Sequence, residues 1–76
     1  MMLNVKNGLK DKKYRIKHIG IRNKKMLYRL GAMGVTKGSE ISIKQQCLLN
    51  GPSIVEINGQ YLSIRQSDAR LIALED

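Results

Sequence analysis

The side chains that most often perform catalysis are few in this sequence and stand far apart. The single histidine, His18, and the single cysteine, Cys47, are 29 residues apart, and no third residue completes a nucleophile and base arrangement. The six acidic residues are scattered, and only Glu75 and Asp76 are adjacent. No glycine-rich phosphate-binding loop matches, because residues 31–34 end a predicted helix instead of opening one. We therefore predict that the protein is not an enzyme.

Nitrogen and sulfur ligands for a metal are equally sparse. A metal site needs two or three convergent ligands of matched chemistry. His18 lies within a predicted strand, Cys47 ends an apolar strand as a small hydrophobe, and Met26 and Met33 lie on a helical stripe that faces the core. We expect structural roles for all four, no cofactor, and only weak binding of ferrous iron or zinc by the monomer. Metal bridging between molecules through His18 or Cys47 stays open.

The positive charge is concentrated in the first half of the chain. The formal net charge is +8, and residues 1–38 carry eleven basic residues against one acid, whereas residues 39–76 are slightly acidic. Such a distribution indicates an anionic partner, which is a nucleic acid, the inner membrane surface or an acidic protein, or else a margin of solubility. The basic residues around the predicted first strand form a candidate membrane-facing patch: Lys10, Lys12, Lys13, Arg15 and Lys17.

Length and composition predict one small soluble domain over residues 1–76. Hydrophobic residues make up 42% of the chain, with no Phe or Trp, so its core must be aliphatic. The longest uncharged stretch, residues 45–55, contains two Gln, an Asn and a Pro and does not resemble a transmembrane helix. The first six residues lack the apolar run of a signal peptide. We expect a cytoplasmic protein that contacts the inner face of the inner membrane transiently.

Hydrophobic periodicity predicts a strand followed by a helix in the first half. Residues 13–21 alternate, with Tyr14, Ile16 and His18 on one face, and then change parity, which indicates a bulge. The period becomes 3.6 after Asn23, a fitting N-cap, and Gly34 fits the left-handed position that ends many helices. The sequence therefore predicts a helix of about ten residues after the first strand.

The second half is predicted to be β. Alternating segments begin near Ile41, Val55, Leu62 and Ile72, and Asn58-Gly59 is a strong signal for a two-residue hairpin. Residues 36–38 read as a tight turn, and residues 67–69 read as a capped single turn. Leu9 is expected to tuck under one end of the barrel. Five short strands and one helix describe a small, partly open β-barrel.

A helical wheel divides the predicted helix into two faces. Met26, Leu27, Leu30 and Met33 fall on one side and are expected to face the barrel. An exposed tyrosine beside two small residues resembles the centre of an interface, although Gly31 can also be a surface residue that costs about 1 kcal/mol of helix propensity. The candidate partner-binding residues are Lys24, Lys25, Tyr28, Gly31 and Ala32.

One ordered set of segments resembles a known family. The segments are residues 29–38 (RLGAMGVTKG), Ile41 and Ile43, residues 51–54 (GPSI), Asn58-Gly59, residues 62–65 (LSIR), Ala69 and Ile72. Their order resembles the ferrous-iron transport protein A (FeoA) family from about Tyr14 to Glu75. Where family members often carry a glycine before the first strand, this chain has residues 11–13 (DKK).

The resemblance implies both a fold and a function. The fold is a mainly β, SH3-like barrel of about five strands with one short helix inserted after the first strand. The function is that of a cytoplasmic, noncatalytic accessory protein that binds and modulates the membrane GTPase iron permease FeoB. The alternative is a basic small-barrel nucleic-acid-binding or regulatory module, since the same barrel ends metal-dependent repressors, although no helix-turn-helix precedes it here. Specific nucleic-acid binding is not expected, and dimerisation through an exposed strand edge stays open.

Overall fold

A computed structural model describes residues 2–76 as a five-stranded antiparallel sheet with two helices. The elements in chain order are β1 (Lys13–Ile19), α1 (Lys24–Ala32), β2 (Glu40–Gln45), β3 (Ser53–Ile57), β4 (Gln60–Ile64), α2 (Gln66–Ala69) and β5 (Ile72–Glu75). The strand order is β4-β3-β2-β1-β5, and each neighbouring pair is antiparallel. This arrangement confirms the SH3-like barrel with a short helix inserted after the first strand.

The core is aliphatic, as the composition predicts. Tyr14 is its aromatic member, and the Tyr14 hydroxyl accepts a hydrogen bond from the backbone N–H of Leu9 at 2.9 Å. Ser42, between the buried residues Ile41 and Ile43, is also buried, and Lys13 and Glu56 flank it in register on the two adjacent strands. The largest fully buried side chains are Ile16, Ile41, Ile43, Ile57, Ile72, Val5, Val35 and Val55.

The parity change predicted in the first strand is a bulge in the β1–β5 pairing. The register shifts between Ile16 and His18, and the strand ends at Ile19 instead of residue 21. Tyr14 and Ile16 are buried, but His18 is exposed, so the prediction that all three share one face was wrong for His18. The bulge inserts one extra residue between Ile16 and His18, so the His18 side chain no longer points to the core side of the strand.

The N-terminal segment buries a different residue from the one that the sequence predicted. Leu9 is 61% exposed, so its predicted position under the barrel was wrong, and Val5 is fully buried in its place. The Val5 N–H donates to the Ile72 carbonyl at 3.1 Å, and the Leu74 N–H donates to the Leu3 carbonyl at 2.9 Å. These bonds lay the segment along the outer edge of β5, which is thereby covered.

The two short turns of the second half differ in how well the sequence predicted them. Asn58 and Gly59 have φ values of 53° and 77°, which confirms the two-residue hairpin between β3 and β4. The capped turn near residue 67 is α2, but Arg65 is its N-cap and makes no side-chain capping bond. Asp68 is buried instead and accepts a hydrogen bond from Arg65 Nε at 2.8 Å.

Candidate partner-binding surface

Helix α1 is fixed at both ends by the residues that the sequence indicates. At its start, the Asn23 side chain accepts a hydrogen bond from the Met26 N–H at 3.1 Å. At its end, Gly34 has φ +98°, and the Val35 N–H donates to the Leu30 carbonyl at 2.9 Å, as in a Schellman motif. Leu30 and Val35 are both buried, so the end of the helix is anchored in the core.

The C-terminal end of α1 packs closely on the β3–β4 hairpin. A Cβ atom at Gly34 would lie 2.5 Å from Asn58 Nδ2 and 2.9 Å from Ile57 Cγ2. Real Cβ atoms do not approach other atoms so closely, and the positive φ is also unfavourable for other residues. Gly34 therefore allows the C-terminal end of α1 to pack directly against the hairpin. This packing sets the orientation of the outer face of α1.

The outer face of α1 bears a shallow apolar depression of about 590 Å³. Tyr28, at one side of the depression, is 83% exposed, and a Cβ atom added at Gly31 would meet no atom outside its own helix within 4 Å. The lining has no carboxylate, imidazole or thiol, so the surface suits binding and offers no acid–base chemistry. The lining residues are Lys24, Leu27, Tyr28, Gly31 and Ala32.

The sequence located most of this depression but not its full lining. Four of the five residues of the predicted surface line it, and the fifth, Lys25, is exposed but does not. Leu27 was expected to face the barrel; it is half-buried, packs against the core and also lines the depression. Leu27 lies at the margin of the apolar stripe on the helical wheel, and that position is the signal that indicates its double role.

The basic patch around β1 is partly neutralised by carboxylates. Lys12 Nζ lies 2.8 Å from Asp76, and this hydrogen bond and charge raise the pKa of Lys12. Arg15 is in register with Glu40 on β2 and with Glu75 on β5, so acidic side chains flank it. Its membrane contact stays a prediction. All five residues of the patch are exposed: Lys10, Lys12, Lys13, Arg15 and Lys17.

The structure does not assemble the sparse metal ligands of the sequence into a cluster. His18 is exposed, and Cys47 is half-buried with its Sγ 3.0 Å from the Ser53 hydroxyl. Within residues 2–76, no three His, Cys, Asp or Glu side chains are placed to hold a metal ion together. No helix in this same part of the chain is long and apolar enough to cross a bilayer.

Comparison with protein families gives one match over nearly the whole chain. A family model described as the FeoA domain matches residues 5–76. No curated protein matches the sequence significantly.

Several solved structures share this fold. Iron(II) transport protein A from Clostridium thermocellum superposes with a TM-score of 0.84 at 26% identity, and the match covers 96% of this chain but only 44% of that one. A crystal structure of an iron uptake regulatory protein (FeoA) gives 0.83 at 20% identity, with 99% and 97% of the two chains covered. The manganese regulator SloR gives 0.78 at 19% identity, with 97% and 34% covered. At the two lower identities the likeness shows the fold alone.

Proposed function

The chain belongs to the FeoA family, which is associated with ferrous iron transport, and we propose that it binds the membrane GTPase iron permease FeoB through the outer face of α1. In this role it is a noncatalytic accessory protein of iron uptake that acts by protein–protein contact in the cytoplasm. The helix that carries this face is held on the barrel by the buried Leu30.

The observation that carries the proposal is the exposed Tyr28 beside the depression at Gly31 and Ala32. Tyrosine side chains bury a large area at interfaces at low entropic cost, and they are frequent among the residues that dominate binding energy. The absence of a side chain at Gly31 leaves room for a partner's backbone or an apolar side chain. At 83% exposure the Tyr28 side chain buries little area within the chain, so most of its surface is available to a partner.

The charge of α1 indicates the electrostatic character of the partner surface. Helix α1 carries three basic side chains, Lys24, Lys25 and Arg29, and no acidic one. Their field attracts an acidic surface and accelerates encounter more than it strengthens the final complex. We therefore expect FeoB to present carboxylates around the site that receives Tyr28.

The direct test measures binding of purified variants to FeoB in detergent. Tyr28→Ala and Gly31→Glu should each weaken binding by more than about 1 kcal/mol, which is at least fivefold in Kd, because one removes an anchor and the other places a charge in the contact. Met33→Glu is the matched control, since it adds the same charge on the other side of the same helix. Circular dichroism checks folding. Folded Tyr28 and Gly31 variants that bind like the wild type would refute the proposal.

A charge-reversal variant tests the electrostatic part separately. Lys24→Glu combined with Lys25→Glu should slow association and flatten its dependence on ionic strength, while dissociation changes little. Stopped-flow or surface-plasmon measurements at several salt concentrations give the two rates. An association rate that keeps the wild-type salt dependence would show that these lysines do not steer the encounter.

The concentration of positive charge in residues 1–38 favours nucleic-acid binding as the second candidate function. Binding of this kind should be nonspecific and should weaken by about a thousandfold between 50 and 200 mM salt if six phosphates are contacted. Filter binding or fluorescence anisotropy with duplex and single-stranded oligonucleotides measures it. A complex that survives the higher salt and prefers one sequence would favour a regulator over a transport accessory protein.

A further inference from the structure

The two edge strands of the sheet differ in whether another segment of the chain covers them. Residues Leu3–Val5 run along β5 and satisfy backbone groups at Ile72 and Leu74. Strand β4 ends the sheet on the other side, with β3 as its neighbour and no strand beyond it within residues 2–76. Its sequence, QYLSI, has no charged residue and no proline, which are the usual means of blocking an open edge.

The hairpin register shows which backbone groups of β4 point outward. The two-residue turn at 58–59 makes Ile57 and Gln60 a hydrogen-bonded pair, and such pairs alternate along an antiparallel ladder. Tyr61 and Ser63 therefore belong to the non-hydrogen-bonded pairs, and their N–H and C=O groups face away from β3. Neither backbone is hydrogen-bonded to another segment among the described residues. β4 thus offers two donors and two acceptors to an added strand.

A groove of about 560 Å³ lies between α1 and residues 62–64 of β4. Leu62 and Ser63 point to opposite faces of the sheet because they are adjacent in a strand, yet both line the groove. The groove therefore reaches the outer edge of β4 at Ser63, whereas Tyr61 lies just beyond its lining. Its other wall is the side of α1 that carries Met26, Leu30 and Met33. An open strand edge facing an apolar helix is the arrangement in which an extended peptide binds by strand addition.

The side chains around the groove indicate the chemistry of its occupant. Met26 and Met33 are half-buried, flexible and apolar, which suits insertion of an aliphatic side chain. Arg29 and Arg65 also line the groove; Arg65 is paired with Asp68 at 2.8 Å, whereas Arg29 makes no ion pair within residues 2–76. A second copy of the chain is a poor occupant, because each copy carries a net charge of +8.

We propose that an extended, acidic and apolar segment of a partner protein binds in this groove as a sixth strand. Its backbone pairs with the outward groups of Tyr61 and Ser63, its alternate aliphatic side chains enter the groove between Leu62 and Met33, and its carboxylates meet Arg29. The site is separate from the depression beside Tyr28, since the two sets of α1 residues lie roughly 180° apart at 100° per residue. The inference does not depend on FeoB binding.

The test uses an eight-residue peptide in which leucine alternates with glutamate, added to the ¹⁵N-labelled protein. The amide signals of Tyr61 and Ser63 should shift the most, and their exchange with deuterium should slow, because their N–H groups become hydrogen-bonded. Replacing every glutamate by lysine in the peptide should weaken binding about tenfold or more. Shifts confined to the depression around Tyr28, or no shifts, would overturn the proposal.

Backbone methylation separates strand addition from simple apolar contact. A peptide N-methylated at the amides along one edge should lose binding about tenfold or more, whereas methylation along the other edge should leave it nearly unchanged. Equal tolerance of both patterns would refute pairing with β4. A free protein that sediments as a dimer with protected Tyr61 and Ser63 amides would instead identify a second copy as the occupant.

Two variants connect the peptide to the residues of the groove. Met33→Glu should weaken peptide binding about tenfold, and the matched control Ala32→Glu, one residue away on the outer face, should not. Ser63→Pro removes an outward N–H without breaking the ladder to β3 and should also weaken binding. In the FeoB assay the effects should be reversed: Ala32→Glu should weaken FeoB binding and Met33→Glu should not. Either proposal can therefore be refuted without affecting the other. A peptide that binds Met33→Glu and Ser63→Pro normally would exclude the groove.

Discussion

The two faces of α1 differ in what surrounds them. Within residues 2–76, the depression on the outer face, with Tyr28 and Gly31, is lined by residues of α1 alone. The groove face, with Met26 and Met33, meets β4 and the segment that leads into β3. One nine-residue helix thus presents a local surface on one side and a composite surface on the other.

This difference shows why exposure of apolar residues has to be interpreted separately on each face. Met26 and Met33 were expected to pack in the core; both are only half-buried and line the groove, although Met26 also packs against the core. Tyr28 was expected to face water, and it does. Leu30, between the two methionines, is the residue on this side that is fully in the core.

The largest effect should come from the residue that anchors the groove face. Leu30→Ala should destabilise the protein by about 2–5 kcal/mol, because Leu30 is 5% exposed and its loss leaves a cavity. Urea unfolding followed by circular dichroism measures the free energy of unfolding. A cost below about 1 kcal/mol would mean that α1 is attached mainly by its ends, and both faces would then be less well defined.

The glycine at the end of α1 should have the next largest effect. Gly34→Ala should cost about 1–3 kcal/mol, because the new Cβ meets Asn58 and Ile57 and the φ of +98° is strained for alanine. The same unfolding experiment applies. A neutral result would show that the end of the helix can move away from the hairpin and widen the groove.

The glycine in the outer face should respond in the opposite direction. Gly31→Ala should stabilise the protein by about 0.5–1 kcal/mol, because the site is open and alanine is the better helix former. Weaker FeoB binding by this more stable variant would show that Gly31 serves the approach of a partner. Unchanged binding would leave it as a tolerated surface glycine.

Tyr28 should matter less for stability than any of these residues. Tyr28→Ala should change the free energy of unfolding by less than about 0.5 kcal/mol, since the side chain is 83% exposed. A loss above about 1 kcal/mol would show that the ring packs on the barrel and is not available as an anchor. Urea unfolding and thermal unfolding of Tyr28→Ala and wild type measure this change in the free energy of unfolding and distinguish the two outcomes.

The smallest effect concerns a basic residue that has a carboxylate partner, unlike those on α1. The hydrogen bond and the charge of Asp76 raise the pKa of Lys12 above its ordinary value of 10.5 in the folded state. The ion pair therefore contributes its stability below that value and loses it as pH rises through the raised pKa. Wild type and Lys12→Met should therefore differ in free energy of unfolding at pH 9, and this difference should disappear above pH 11. Lys24→Met, without an ion pair among the described residues, should show no such pH dependence.

The sequence by itself determined the features that depend on a few neighbouring residues. Asn23 and Gly34 set the limits of α1, Asn58-Gly59 set the hairpin, and the helical wheel placed Tyr28 and Gly31 on the outer face of α1. Each of these follows from backbone preferences or from a period that is repeated within one element. The position of the bulge in β1 was also indicated, since a change of parity is visible in a single strand.

Only the tertiary structure decided which distant segments meet. Nothing near Leu9 or Val5 shows that Val5 is the buried one, because that depends on bonding to β5 nearly seventy residues later. For the same reason the sequence did not distinguish the covered edge at β5 from the open edge at β4. Met33 and Leu62, 29 residues apart in the chain, both line the groove, and their proximity depends on how α1 docks on the barrel and not on any local preference of either residue.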